Sequence, residues 1–159
     1  MTMEKPYYSQ QPMGTPQMSV QQGNRNAKNL PLHNGEREWS EGLCGCTDDC
    51  GTFCVACWFP CISYGKNKRR VDHLNSKGYP DPEHGGCCNS DCMVHGCLTG
   101  CLGLGWILQI GVRSNIRTRY SIKGGGCGDC MSAWCCAPCE LTQGSREIEL
   151  EEQSFSGHH

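Results

Sequence analysis

The sequence contains few of the side chains that usually build a hydrophobic core. Leucine, isoleucine, valine and phenylalanine together account for 24 of 159 residues, about 15%, whereas an ordinary globular domain has at least roughly 20%. The formal net charge of -2 is too small for this composition to indicate disorder of the whole chain. A core this thin needs further stabilisation from disulfides, metal ions or partners.

The sequence also lacks a secretory signal. The segment MTMEKPYYSQQPMGTPQ contains no apolar stretch, and no N-x-S/T glycosylation sequon occurs anywhere in the chain. We therefore expect an intracellular protein whose thiols are kept reduced. In such a compartment, cysteine-rich sequences bind metals more often than they form structural disulfides.

Two further classes of function are not indicated. The sequence contains no G-x-S-x-G, no H-E-x-x-H and no phosphate-binding loop, so we predict no enzymatic activity. The isoelectric point near 6.3 and the acidic C-terminal segment disfavour a general nucleic-acid-binding protein.

Cysteine is the residue that the chain has in abundance, with 16 copies, all between Cys44 and Cys139. Five of them are spaced 4, 4, 3 and 4 residues apart between Cys46 and Cys61. On one continuous helix these five thiols would lie in a stripe roughly 80° wide. Such a stripe is typical of sulfur that binds a metal ion or other sulfur atoms.

Further groups share this spacing. Cys88, Cys92 and His95 are at positions i, i+4 and i+7, and three C-x2-C pairs occur at 54–57, 127–130 and 136–139. Thiolate-rich sites without evident redox chemistry favour zinc, although other thiophilic divalent metals suit the same sulfur. The candidate ligands are Cys50, Cys54, Cys57, Cys61, Cys88, Cys92, His95, Cys127, Cys130, Cys135, Cys136 and Cys139.

Other roles for these residues stay open at this stage. Any single cysteine can act as a small buried hydrophobe, and a lone histidine is often structural. The vicinal pairs at 87–88 and 135–136 cannot easily bind one tetrahedral ion, so one member of each pair has another role. Palmitoylation and thiol-disulfide chemistry are further alternatives.

The hydrophobic pattern predicts a mainly α protein. We expect a small cysteine-rich helical domain of about three helices at 39–152, between a disordered Gln- and Pro-rich tail at 1–38 and a flexible C-terminus at 153–159. The three predicted helical pieces run from about Asp49 to Lys77 with a kink at Pro60, from Asn89 or Ser90 to about Tyr120, and from about Asp129 to Gln153 with a kink at Pro138.

A membrane is the expected partner. The 21 residues between Asp91 and Arg113 carry no formal charge, and this length would span a bilayer. Against a span, the stretch contains the polar residues His95 and Gln109. Basic clusters also follow both this stretch and the uncharged stretch before Lys66, and a two-span hairpin would place them on opposite sides of the membrane, contrary to the positive-inside rule. We therefore favour peripheral or shallow association; the alternative is an oligomeric pore or exporter for divalent cations built on 93–112.

Four segments resemble the placenta-specific 8 family, which includes plant cadmium-resistance proteins, cell-number regulators and cornifelins. The resemblance covers roughly 39–150, and Cys54, Cys57, Pro60 and Cys61 match the family's C-C-x-x-C-P-C pattern with altered spacing. The segments are WSEGLCGC at 39–46, CWFPCISYGKN at 57–67, RSNIRTRYSIKG at 113–124 and CGDCMSAWCCAPCELTQGSREIE at 127–149.

This resemblance implies association with cell membranes, oligomers in some members, and roles in divalent-metal tolerance or growth control. It implies no enzymatic activity. We accordingly predict a non-enzymatic, metal-binding regulatory or interaction protein at an intracellular membrane surface such as that of the plasma membrane. A homo-oligomer is one of the expected partners. Gln143, Arg146 and Glu147 match the family's C-terminal pattern and are expected to be structural or to face a partner.

Overall fold

A computed structural model describes residues 23–156 of the chain, so the expectations for 1–22 and 157–159 lie outside the described residues. The predicted mainly α, cysteine-rich fold is confirmed. Apart from helices, the described residues contain two isolated β-bridges, His33–Glu36 and Arg37–Ile122. The elements are a 3-10 helix at Leu43–Asp49, α1 at Cys50–Trp58, α2 at Pro60–Lys77, α3 at Ser90–Leu102, α4 at Gly105–Tyr120, α5 at Gly126–Cys135 and α6 at Ala137–Ser156.

Each predicted helical piece consists of a short helix followed by a longer one. The first piece breaks at Phe59, and Pro60 begins α2, where its missing N–H leaves no intrahelical hydrogen bond unmade. The second breaks after Leu102 because Gly103 adopts a left-handed conformation with φ of 65°. The third breaks at Cys136, the residue between α5 and α6.

The uncharged stretch at 92–112 is therefore divided between α3 and α4. These helices have 13 and 16 residues, and the chain turns between them at Gly103 and Leu104. Among residues 23–156, the structure contains no helix with the length and apolar character required to span a bilayer.

Each short helix folds back against a long one. Asn89, which caps α3, donates a hydrogen bond to the carbonyl of Gly65 in α2 at 2.8 Å, whereas Gly96, later in α3, faces Cys61 at the start of α2. The two helices are therefore antiparallel. Similarly, α4 turns back along α3, with Gln109 Nε2 3.1 Å from His95 Nε2.

The three long helices α2, α4 and α6 run in the same direction. The side chain of Asn67 reaches the carbonyl of Leu141, and Arg70, one turn later in α2, reaches Ser145. Along α4, Arg113 contacts Gln143 and the later residues Arg119 and Tyr120 contact Glu151. These contacts have lengths of 2.7 to 3.1 Å.

Two glycines permit the close packing of α3 against α2 and α4. A Cβ atom at Gly65 would lie 2.5 Å from Asn89 Oδ1 and 2.9 Å from Cys92 Cβ. At Gly105, the first residue of α4, a Cβ atom would lie 1.9 Å from Thr99 Oγ1 and 3.1 Å from the His95 ring. Any larger side chain would therefore push α2, α3 and α4 apart.

A small core fills the space between the three long helices. Its largest fully buried members are Leu74 of α2, Ile116 of α4 and Ile148 of α6, each 1% exposed or less. The remaining core side chains are Ala56, Tyr64, Val71, Val112, Tyr120, Ile122 and Leu141. The low count of aliphatic residues noted in the sequence is thus reflected in a core of few side chains.

The part of the predicted tail that the structure describes, 23–38, packs on the helices, which differs from the expected disorder. Arg37 is 2% exposed, exchanges backbone hydrogen bonds with Ser121 and Lys123, and pairs with Glu147. Polar contacts of this kind do not require aliphatic residues, which explains why composition did not indicate them. At the other end of the domain, α6 continues to Ser156, four residues past the predicted domain boundary at 152.

Candidate functional site

The breaks between the short and long helices lie together at one end of the bundle, because α2, α4 and α6 run in parallel from them. Large apolar side chains near these breaks are exposed to solvent, Trp58 by 80% and Trp134 by 68%. Each pair of a short and a long helix forms a helical hairpin, and we call the surface at the three breaks the hairpin-tip face. Its exposed apolar residues are Trp58, Phe59, Leu102, Leu104, Ile107 and Trp134.

No ionised side chain comes from the three chain segments that form this end. Residues 50–65, 92–112 and 130–139 contain no aspartate, glutamate, lysine or arginine. Most of the cysteines lie in the same segments. The hairpin-tip face therefore combines exposed aromatic and aliphatic groups with thiols, and it lacks the fixed charges of an ordinary protein surface.

The predicted single stripe of five thiols is interrupted. Cys46 lies in the 3-10 helix, and the break at Phe59 separates Cys61 from α1. The three thiols that remain on α1, those of Cys50, Cys54 and Cys57, are exposed. The prediction assumed one continuous helix, and Pro60 begins a new one instead of bending the old one.

One pair of predicted ligands, from α2 and α3, is brought into contact. The thiols of Cys61 and Cys92 are within hydrogen-bonding reach, and Cys88 lies close enough to act on Cys92 electrostatically. Burial, assisted by the hydrogen bond that the Cys92 thiol donates to Cys61, raises the pKa of Cys92 to about 11. Cys92 is therefore a neutral thiol near pH 7, and a metal ion would have to displace its proton to bind.

His95, predicted as a ligand, lies in a closed polar and aromatic environment. It is 1% exposed and its ring stacks on Tyr64 with 4.5 Å between centroids. Its two ring nitrogens have Gln109 at 3.1 Å and Thr99 at 3.4 Å as polar neighbours. Burial lowers the pKa of His95 to about 4, so the ring is neutral near pH 7.

The predicted ligands of the third piece are arranged differently. Cys136 and Cys139 form a disulfide with each other, and the Sγ atom of Cys46 lies 3.4 Å from that of Cys139. On α5, Cys127 and Cys135 are exposed and Cys130 is half-buried.

Within residues 23–156, the structure brings together no group of three or more His, Cys, Asp or Glu side chains that could hold one metal ion. The thiols are chemically suitable donors for zinc, but ligation by the twelve predicted residues stays a prediction. The sequence could show the spacing of the thiols along each helix, whereas the distances between helices decide whether a site is formed.

The opposite half of the bundle contains a network of buried ion pairs that the sequence reading missed. Arg113 and Arg117 share Asp129 at 2.8 to 3.2 Å, and the guanidinium of Arg113 lies 4.1 Å from the centre of the Trp39 ring. Glu140 is also beside Arg113, and burial raises the pKa of this carboxyl to about 8. The signal that could have revealed the network is the match of two basic clusters with an acidic last helix.

The basic clusters that follow the two uncharged stretches contribute to this network. Arg70 pairs with Glu152 and Arg119 with Glu151, and both arginine side chains are 10% exposed or less. Gln143, Arg146 and Glu147, which match the family's C-terminal pattern, also make internal contacts, to Arg113, Glu41 and Arg37 among others. Within the structure they hold α6 against the N-terminal segment.

These features define a cysteine-rich helical protein with a charge-free apolar end. A profile of the PLAC8 family matches residues 39–147, more than half of the chain. The chain belongs to the PLAC8 family, which confirms the resemblance found in the sequence motifs.

Curated relatives agree with this assignment. Cell number regulator 9 of Zea mays is 36% identical over 112 residues, which is 70% of this chain and 58% of the relative. Protein PLANT CADMIUM RESISTANCE 2 of Arabidopsis thaliana is 32% identical over 114 residues, or 72% of this chain and 68% of the relative. The chain thus spans a little over half to two thirds of the length of these relatives. No solved structure gives a significant match.

Proposed function

We propose that this chain is a non-enzymatic regulatory protein that lies on a membrane surface through its hairpin-tip face and binds thiophilic divalent ions, zinc first among them, through cysteines at that end. The process is metal homeostasis or growth control, in keeping with relatives named as cadmium-resistance proteins and cell number regulators. The observation that carries this proposal is the charge-free end with its exposed aromatic and aliphatic side chains.

Shallow insertion suits the geometry of this end. Tryptophan is favoured at the boundary between headgroups and acyl chains, where its apolar ring is buried and its N–H remains hydrated. Trp58 and Trp134 come from different hairpins and Leu102 from the third, so each hairpin contributes an exposed apolar anchor. Full burial of a large apolar side chain contributes about 1.5–3 kcal/mol, so partial burial of several gives reversible binding.

The N-termini of α2, α4 and α6 meet at the same end. Backbone N–H groups at a helix N-terminus and the macrodipole behind them favour anionic groups. They complement phosphate headgroups although no basic side chain comes from the tip segments. The antiparallel short helices reduce this field because their C-termini lie nearby.

Metal binding is proposed around Cys61 and Cys92, two free thiols from different hairpins that are within hydrogen-bonding reach of each other. Cys88 lies close enough to act on Cys92 electrostatically and is the proposed third thiol. Because the described residues as placed make no complete site, the ion would draw further sulfur inward from the flexible side chains nearby or from a second copy of the chain. A soft ion such as Cd²⁺ would bind the same sulfur.

Membrane binding is tested by vesicle co-sedimentation of the full chain with phosphatidylcholine vesicles, with and without phosphatidylserine. We expect Trp58→Ser combined with Trp134→Ser to weaken binding at least tenfold, since two insertion anchors are lost. Tyr79→Ser is the matched control, because Tyr79 is 50% exposed but follows α2 at the opposite end.

The outcomes separate the hairpin-tip face from other modes of attachment. Quenching of tryptophan emission by brominated lipid that is reduced in the double variant, which keeps Trp39 and Trp106, and is unchanged in the control supports the proposal. Equal binding of wild type and double variant, or equal weakening by Tyr79→Ser, contradicts it.

Metal binding is tested separately by titrating the reduced chain with Cd²⁺ and following the ultraviolet thiolate-to-metal charge-transfer band. We expect Cys61→Ser combined with Cys92→Ser to reduce the affinity at least tenfold. Cys44→Ser, at an exposed thiol of the 3-10 helix outside the predicted ligand set, should leave the affinity of the strongest site unchanged. A chain that binds no Cd²⁺ when reduced would rule out this part of the proposal and leave the membrane part standing.

A further inference from the structure

The sulfur atoms of Cys46, Cys136 and Cys139 form a cluster of three. Cys136 and Cys139 are joined in a disulfide, and the Sγ atom of Cys46 lies 3.4 Å from that of Cys139. Cys46 is 6% exposed and is 93 residues away from Cys139 in sequence. A buried free thiol is thus held in contact with one sulfur of a disulfide.

The local structure favours a change of partner. Cys136 is the residue before α6, and its carbonyl accepts the hydrogen bond of Glu140 N–H at 3.0 Å. A sulfur at this helix N-terminus is stabilised as a thiolate by the helix dipole and unpaired N–H groups. A stabilised thiolate leaves readily in thiol-disulfide exchange.

The 3-10 helix holds Cys46 in place from the other side. Arg146 in α6 donates to the carbonyl of Gly45 at 2.9 Å, and Gln143 donates to the carbonyl of Glu41 at 2.7 Å. Both carbonyls precede Cys46, and Arg146 also lies 3.9 Å from the carboxylate of Asp48, which follows it, so the segment on either side of Cys46 is held against α6. The contact is therefore built into the packing of α6 against the 3-10 helix.

We infer that the three sulfurs are a thiol-disulfide exchange switch. The Cys46 thiolate attacks Sγ of Cys139; the Cys46–Cys139 bond forms, the Cys136–Cys139 bond breaks, and its electron pair leaves on Cys136. The proton given up by Cys46 is taken up by Cys136. The exchange conserves one disulfide and one thiol, so it needs no oxidant or reductant.

The two linkages differ in what they join and in which thiol is free. With Cys136–Cys139 closed, the disulfide spans the α5–α6 break and the free thiol is buried at Cys46. With Cys46–Cys139 closed, the disulfide ties the 3-10 helix to α6, and the free thiol is Cys136, beside exposed Cys135 at the tip end. The exchange thus moves a reactive thiol from the interior to that end, independently of lipid or metal binding.

The test is disulfide mapping of the full chain after equilibration in a glutathione redox buffer in which the three cysteines of the cluster keep one disulfide and one thiol. Free thiols are blocked with N-ethylmaleimide at mildly acidic pH, and linked peptides are identified by fragmentation mass spectrometry. In wild type we expect both linkages, and in Cys136→Ser we expect complete conversion to Cys46–Cys139. In Cys46→Ser only Cys136–Cys139 should form.

Cys130→Ser is the matched control, since it removes a half-buried cysteine on α5 outside the cluster and should keep the wild-type pattern. Circular dichroism establishes that each variant is folded. Two results overturn the inference: a folded Cys136→Ser variant whose Cys46 and Cys139 are both blocked as free thiols, or a wild-type chain that contains the Cys136–Cys139 linkage alone.

Discussion

The hairpin-tip face and the opposite half of the bundle place apolar and charged residues in opposite ways. At the tips, Trp58 and Leu102 are 80% and 63% exposed. In the opposite half, the buried positions include Arg37, Glu147 and Glu151, at 1 to 3% exposed. In a chain with so few aliphatic residues, the apolar groups left in solvent at one end indicate a surface for binding, while ion pairs take part of the role of a core at the other.

The largest expected effect comes from removing one partner of a buried ion pair in the opposite half. We expect Glu147→Ala to lower the free energy of unfolding by about 3–5 kcal/mol, because Arg37 is left buried without its carboxylate. Urea unfolding followed by circular dichroism measures this loss. Glu149→Ala, at an exposed position of the same helix, should change stability by about 0.5 kcal/mol or less. A loss of less than about 1 kcal/mol for Glu147→Ala contradicts the structural role of the network.

A second prediction contrasts apolar residues at the two locations. Ile148→Ala should lower stability by about 2–5 kcal/mol, since Ile148 is fully buried between the long helices. Leu102→Ala on the hairpin-tip face should change it by about 0.5 kcal/mol or less, because Leu102 is exposed. Denaturant midpoints of the two variants check this contrast. Equal losses would mean that Leu102 is packed in solution.

The third prediction concerns pH. The pKa of His95 is about 4 in the folded chain, below its ordinary value near 6.5, so the unfolded chain binds the proton first as pH falls. Protonation of His95 therefore leaves the free energy of unfolding unchanged above about pH 6.5 and lowers it by about 2–3 kcal/mol as the pH falls towards 4. We expect His95→Gln to remove that part of the slope of unfolding free energy against pH. The exposed His33→Gln should retain it, and an unchanged slope in His95→Gln would contradict the assignment.

The smallest expected effect concerns the close packing of α4 against α3 in the second hairpin. Gly105→Ala should lower stability by about 1–3 kcal/mol, because its Cβ atom would meet Thr99 and the His95 ring. Gly100→Ala, at a helical position of α3 with open space around it, should stabilise the chain by up to about 1 kcal/mol. Thermal melting of both variants measures the difference in sign. Stabilisation by both would show that α3 and α4 pack less closely than described.

The helices of this fold were largely predictable because they depend on local signals. Prolines at 60 and 138 and the polar connector before Asn89 place the three predicted helical pieces and two of their three breaks approximately, although each proline was expected to kink a continuous helix. The turn at Gly103 was missed, since the uncharged sequence around it is compatible with one continuous helix. A single glycine in a left-handed conformation decides that point, and its conformation depends on the packing of α4 against α3.

The candidate site was less predictable, because its contacts join residues far apart in sequence. The spacing correctly places Cys92 and His95 along one helix, whereas Cys88 lies before Asn89, the N-cap of α3. The ring of His95 stacks on Tyr64, and the thiol of Cys92 is directed to Cys61. Likewise, the sequence shows two basic clusters and an acidic helix without showing which charges pair. Such pairings depend on distances between helices, and no periodicity along one helix encodes them.

The first and last described residues meet at the end remote from the tips. The N–H of Asn24 donates to the hydroxyl of Ser154 at 2.7 Å, and Arg25 lies 3.9 Å from Glu151. A circular permutant that joins residue 23 to residue 156 by a short linker, with new ends opened elsewhere, should therefore retain the bundle. For the same reason, a reporter domain fused at this junction would stand on the far side from a lipid surface held by the tips.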